Sequence, residues 1–211
     1  MADADIIAMS LDQSPTSTGW AIGRPCELKP KYGLFKMAPW NDEDGERLCQ
    51  CEDWLRATIK EHGVTHLFYE SPVQVRPKII YKNGKAILVN IKSFEVVEMQ
   101  LAQNGAINIA AFRCGVKVEK ITPSSWRLRF LGKANIPGLS GDILRRELKL
   151  AALKACALRG WYLSSDDTAE ALGLLDFGLS TLSQRHASSR DTLFGRAQWA
   201  HDVARFRGEL A

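Results

Sequence analysis

The chain has 211 residues, 45% of them apolar and 25% charged, with a net charge of +4. That supplies enough apolar chain for one sizeable core, in one domain or one domain with a terminal extension. No apolar run is long enough to predict a membrane span, and the acidic start Met1–Asp5 lacks the basic opening of a secretory signal, so a cytoplasmic protein is expected.

Three strands are predicted first. Ile6–Leu11 is a short apolar run ended by the turn-forming Asp12-Gln13-Ser14-Pro15; Gly19–Gly23 and Lys31–Met37 follow at short gaps that favour an antiparallel meander. From Asp44 to His62 the pattern turns helical, with Leu48, Cys51, Leu55 and Ile59 at spacings of three and four, and Gly63 ends the helix. Val64–Tyr69 is a fourth strand, closed by Glu70; a strand that rejoins the sheet after a helix implies a parallel crossover.

Residues 71–92 are irregular and basic, and a hairpin over Lys78–Val89 with Asn83-Gly84 at its turn fits them. A helix capped by Ser93 then runs to Phe112, with Val96, Met99, Leu101, Ile107 and Ala110 inward. Val116–Ile121 is the fifth strand, and 122–142 reads as a second basic loop. Helices are expected over Ile143–Arg159 and Asp167–Leu182, with a polar extension from Ser183 that closes on an amphipathic helix near Arg196–Arg207. The order β-β-β-α-β-α-β-α-α predicts an α/β fold and fits the RNase H-like plan, a five-stranded mixed sheet flanked by helices, as it also fits other α/β folds; residues 1–182 are expected as the domain and 183–211 as the extension.

The five cysteines are odd in number and irregularly spaced, and read as free thiols in a reducing compartment. Charge is segregated along the chain. Residues 71–160 hold sixteen basic and five acidic groups, a net of +11, whereas the rest carries twelve and nineteen, a net of −7. Such a pattern fits a polyanion-binding face beside a carboxylate cluster, and equally fits solvated helix surfaces.

Four acids fall where elements begin or end. Asp12 closes the first strand and Glu70 the fourth, while Asp167 and Glu170, three apart, share one face at the start of the last long helix. Neighbouring parallel strands bring their carboxyl ends together. Grouped carboxylates repel, and hard divalent cations such as Mg²⁺ relieve the repulsion. Each acid also has a structural explanation: Asp12 can start a turn, and Asp166 or Asp167 can cap a helix.

The motifs resemble those of the RuvC family of Holliday junction resolvases, in the RNase H-like superfamily. Leu11-Asp12-Gln-Ser-Pro-Thr-Ser-Thr-Gly19-Trp20-Ala21-Ile22 is similar to its opening motif and Tyr69-Glu70-Ser-Pro to its second. Glu98–Ala111 looks like the following helix, Ile121-Thr-Pro-Ser-Ser-Trp126-Arg127 like the strand and basic loop before the last helices, and Asp167-Thr-Ala-Glu170-Ala-Leu-Gly-Leu-Leu like the closing motif.

The resemblance implies Asp12, Glu70, Asp167 and Glu170 as catalytic metal ligands, with Asp166 as an alternative. It implies two Mg²⁺ ions per site, replaceable by Mn²⁺, and a homodimer that nicks opposed strands of a four-way junction. Candidate DNA contacts are Arg76, Lys78, Lys82 and Lys85 on the first basic segment, Arg127, Arg129 and Lys133 on the second, and Arg146 and Lys149 beyond it. Trp126 reads as a core residue rather than a base-stacking one. The four histidines read as surface groups without a role.

Glu170 stands where the bacterial housekeeping enzymes usually carry Asp, Val73 stands near their junction-probing aromatic, and the loop 73–92 is longer. These departures resemble the divergent phage- or mobile-element members, which would place the protein in a host cytoplasm. Flaps, forks or other branched DNA are alternative substrates for the same carboxylates, and a non-catalytic branched-DNA-binding protein is the alternative outside enzymes.

Overall fold

A computed structural model describes residues 3–14, 16–37, 44–71, 78–82, 85–89 and 94–191. After a short 3₁₀ turn at Asp3–Asp5 come strands β1 (Ala8–Gln13), β2 (Ser17–Gly23) and β3 (Lys31–Lys36), then helix α1 (Asp44–His62) and strand β4 (His66–Glu70). Strands β5 (Lys78–Lys82) and β6 (Lys85–Val89) precede helix α2 (Phe94–Arg113) and strand β7 (Lys117–Ile121). Four helices close the order: α3 (Pro123–Leu131), α4 (Gly141–Leu158), α5 (Asp166–Leu182) and α6 (Gln184–Asp191). Among the described residues, no helix is long and apolar enough to cross a membrane.

The main sheet has five strands in the order β3-β2-β1-β4-β7. β1–β2 and β2–β3 pair antiparallel, whereas β1–β4 and β4–β7 pair parallel. β5 and β6 form a separate two-stranded antiparallel sheet, as the hairpin reading expects; its Asn83-Gly84 turn lies outside the described residues.

Side-chain alternation divides the core in two. Met9, Leu11, Leu67 and Tyr69 face one way and pack with Cys51, Leu55 and Ile59 of α1 and Ile107, Ala110 and Ala111 of α2. Ala8, Ala21, Phe68 and Ile121 face the other way, against Trp126 and Phe130 of α3, Leu148 and Ala152 of α4, and Leu172 and Leu175 of α5. Asp12 and Glu70 are two residues on from Ser10 and Phe68, which pair in the parallel β1–β4 register, so both acids belong to the α5 side.

α5 is the central helix of that side, with eleven of its seventeen residues buried. It lies close to its neighbours because glycines stand at the contacts. A methyl at Gly178 would come within 2.4 Å of the Phe68 ring, and one at Gly173 within 2.7 Å of the Trp126 ring. Ser10 Oγ donates to the carbonyl of Ala171 at 2.6 Å, fixing the helix along β1.

Several expectations need correction. The segment 122–142 is not all loop, because it contains α3: Thr122 is its N-cap, Pro123 opens it, and Gly132 closes it at φ +70°. Leu101 is not inward but 56% exposed, although Met99, Ile107 and Ala110 are buried as expected. The Ser93 cap and a helix near Arg196–Arg207 lie outside the described residues.

Nor are the histidines all superficial: His66 and His186 are buried. The first turns after Leu182 pack on the body, with His186 Nδ1 accepting from the Cys26 amide at 2.9 Å and its Nε2 lying 3.4 Å from Asp176 Oδ1. The five cysteines are free, as expected.

Gly178→Ala is expected to destabilise the protein by about 1–3 kcal/mol through overpacking against Phe68, read as a lower urea midpoint at unchanged slope. An unchanged midpoint would show that α5 can lift off the sheet freely.

Candidate metal centre

The carboxyl ends of β1 and β4 and the first turn of α5 meet at one place. Ser165 caps α5, its Oγ accepting from the Thr168 amide at 3.4 Å, so the helix begins with Asp166 and Asp167. Gly19, paired with Asp12 across β1–β2, lets that first turn approach. A methyl there would stand 2.2 Å from the Asp167 carbonyl oxygen. Thr168 Oγ1 donates to the Gly33 carbonyl at 3.1 Å, adding a tie to β3.

One carboxylate oxygen from each of Asp12, Asp167 and Glu170 lies within 4.8 Å of the others. Asp12 and Glu170 are buried, and Asp167 is half-buried. Glu70 adjoins the group: its charge acts on Asp12, and its Oε1 accepts from Trp126 Nε1 at 3.3 Å. Ser17 Oγ donates to Asp167 Oδ2 at 3.0 Å.

Two cations flank the acids. Lys149 Nζ lies 2.7 Å from Asp166 Oδ2, 3.1 Å from Asp167 Oδ1 and 3.8 Å from Glu170 Oε2. Arg127 Nη2 lies 2.8 Å from Glu170 Oε1 and 3.9 Å from Glu70 Oε1.

Electrostatics follow from this crowding. Burial first, then the charges of Glu170, Glu70 and Asp167, push the Asp12 carboxyl well above the usual range, against the pull of Lys149. Burial and Glu170 push Glu70 up, opposed by Arg127, Trp126 and Asp12. Asp166 is lowered: burial would raise it, but its bond to Lys149 outweighs that. Lys149 is itself raised, its burial overcome by Asp166, Asp167 and Glu170.

The donor set fits a hard divalent cation. It is all oxygen, it comes from two rigid elements, and its buried like charges gain from an added positive charge. Asp12, Asp167 and Glu170 would hold such an ion, with Glu70 beside them.

The expected DNA contacts are dispersed. Arg76 lies outside the described residues; Lys78 and Lys82 stand on β5 and Lys85, exposed, on β6. Arg127 and Lys149 are at the carboxylates. Arg129 turns inward, its Nε 3.5 Å from Asp176 Oδ2. Lys133 is half-buried just after α3. Arg146 is exposed and lines, with Arg145, Lys149, Leu150 and Asp166, an open groove of about 360 Å³ beside the carboxylates.

Trp126 is a core residue as expected, 1% exposed, yet its indole N–H also serves the site through Glu70. Ser17, Ser165 and Gly19 were not anticipated as site residues. Ser165 was legible as a capping residue before two acids; Ser17 and Gly19 act across the sheet, a distance that local pattern does not reveal.

The strand order, with its antiparallel trio leading into parallel strands and acids at the ends of β1 and β4, is an RNase H-like fold of the RuvC type. Two solved structures of RuvC from Thermus thermophilus are similar to it. RuvC in complex with a Holliday junction substrate matches with a TM-score of 0.53 and 16% identity, over 81% of this chain and 90% of that one. A second Thermus thermophilus RuvC structure matches with a TM-score of 0.56 and 15% identity, over 81% of this chain and 91% of that one. At the level of sequence, no family model and no characterised protein matches the chain.

The raised Asp12 and Glu70 carboxyls make a stability prediction. The folded protein holds these protons more tightly than the unfolded chain, whose carboxyls titrate near pH ~4. Their stabilising effect is complete below that pH and is lost as pH rises through the folded-state values. In EDTA, Tm should therefore fall as pH rises from the unfolded value of ~4 through the raised folded-state values, with ~1 kcal/mol appearing as roughly 2–4 °C. Asp12→Asn should flatten the fall, and a divalent ion should restore the wild-type Tm at pH 8. A Tm that ignores both pH and metal would contradict the crowding.

Proposed function

We propose that the protein is a Mg²⁺-dependent endodeoxyribonuclease that resolves four-way DNA junctions by paired nicks, leaving 5′-phosphate and 3′-hydroxyl ends. The observation that carries this reading is the convergence of Asp12, Asp167 and Glu170 oxygens at the carboxyl end of β1, with Glu70 alongside. When bound there, two Mg²⁺ ions, or Mn²⁺ in their place, supply water activation and neutralise charge on the leaving 3′ oxygen. The four carboxylates hold and orient the ions. Neither Cys nor His is required as a nucleophile.

The groove beside the carboxylates, with Arg145, Arg146 and Lys149 on its wall, suits a DNA backbone that approaches the acids along α4. Lys78, Lys82 and Lys85 of the hairpin, Lys133 after α3 and Arg76, which lies outside the described residues, are further candidates for phosphate contact. The Thermus protein was solved with a Holliday junction substrate, which favours the junction over flaps or forks as the first substrate to test. The protein would act in DNA recombination and repair in the cytoplasm, a host's if phage-encoded.

Two symmetric nicks need two sites, so the working form is a homodimer. α2 supplies a suitable surface, because Leu101, Ile109 and Phe112 are exposed apolar residues along one side of it, Phe112 at 86%.

A labelled four-way junction, beside a duplex of the same sequence, tests the activity with Mg²⁺ and with EDTA. Symmetric nicks in the junction alone, and only with metal, are expected. Asp12→Asn should lower the rate by at least ~10³-fold while junction binding persists; binding without nicking by the wild type would favour the non-catalytic alternative. Phe112→Asp should shift light scattering from dimer to monomer and uncouple the two nicks. A wild-type monomer, with and without junction DNA, would overturn paired cleavage.

A further inference from the structure

Both carboxylate oxygens of Glu170, and both of Asp167, already have partners. Arg127 and Lys149 engage Glu170, while Lys149 and Ser17 engage Asp167. Mg²⁺ held there would need the same oxygens at about 2.0–2.1 Å. A guanidinium or ammonium left near 3 Å from those atoms would then face the ion's charge at close range in a buried site.

The two cations are not equally held. Lys149 reaches three carboxylates. Arg127 makes one close ion pair through Nη2, and its Nε is buried without a hydrogen-bond partner among the described residues. Its guanidinium carbon lies 5.1 Å from the Trp126 ring centre, a contact that tolerates movement over the ring. Arg127 is thus the cation that can leave at smaller cost.

Charge balance points the same way. Asp12, Glu70, Asp167 and Glu170 carry at most four negative charges. Two divalent ions would match them; Lys149 would keep Asp166, 2.7 Å away, as its anion, and Arg127 would need another, such as a phosphate of bound DNA.

We infer that Arg127 is an exchangeable counter-ion: it pairs with Glu170 and Glu70 until divalent metal takes those oxygens, and then turns to a DNA phosphate, so that metal and DNA binding favour each other. This rests on the metal-dependent nuclease reading above. Arg127 is here a positioning residue, and its removal should move metal and DNA affinity in opposite directions.

The test measures Mn²⁺ binding to the full chain by the loss of the free-ion EPR signal, with and without a four-way junction. Junction affinity is measured separately in Ca²⁺ by fluorescence anisotropy across a salt series. Arg127→Gln should bind Mn²⁺ about 5-fold or more tightly without DNA. It should bind the junction more weakly, with a salt slope reduced by about one, and the gain in Mn²⁺ affinity on adding junction should shrink. Arg127→Met, which keeps the stem and loses the charge, gives the same readouts if the glutamine variant fails to fold.

Arg146→Gln, a loss of charge at an exposed groove residue 4.0 Å from Glu147, should weaken junction binding while leaving Mn²⁺ affinity unchanged. Wild-type or weaker Mn²⁺ binding by both Arg127 variants would overturn the counter-ion role alone. An equal gain from Arg146→Gln would overturn it too, by showing a general field effect. Absence of Mn²⁺ binding in every form would overturn the metal centre and the counter-ion role together.

Discussion

The carboxylate centre depends on how near the first turn of α5 can come to β2. Asp12 and Glu70 are placed by strand register, and would sit at the ends of their strands whatever the helices did. Asp167 and Glu170 are brought to them only because Gly19 presents no side chain where the Asp167 carbonyl passes. Any β-carbon at that position would stand 2.2 Å from that oxygen and push the helix start away from the strands. The tie from Ser10 to the Ala171 carbonyl prevents the helix from sliding once it is there.

The arrangement opposes stability and is held by the packing around it. Four acids share a buried corner, and two have raised carboxyls in consequence. Lys149 and Arg127 offset part of the repulsion from opposite sides, one from α4 and one from α3. The buried length of α5 supplies the rest, with apolar contacts to the sheet on one side and to α3 and α4 on the other. Packing and the two cations together hold the acids side by side.

Much of this was legible in the residues. The strands show as apolar runs with turn chemistry at their ends, and α1 follows its three-and-four spacing to the residue. Asp12, Glu70, Asp167 and Glu170 could be picked out because each terminates or opens an element. α3 was missed because its basic residues and the Gly and Pro after it suggested a loop, although Thr122-Pro123 and Gly132 are ordinary start and stop signals. Leu101 reads as inward because helical periodicity does not say which of two apolar stripes faces the core. The burial of His186 depends on Asp176, on the preceding helix, and on Cys26, 160 residues away in the chain, a contact that no local pattern encodes.

Gly173 shows how far the tolerances extend. It touches no carboxylate, yet the Trp126 ring rests directly over it, and the indole N–H of that ring reaches Glu70. Arg127, the next residue, follows whatever tilt the ring imposes on α3. The spacing between two helices is thus transmitted, through one flat side chain acting as a lever, to the height of an acid on a neighbouring strand. A methyl at Gly173 would press on that ring and so on the acid it serves, although nothing about an isolated glycine in a helix announces it.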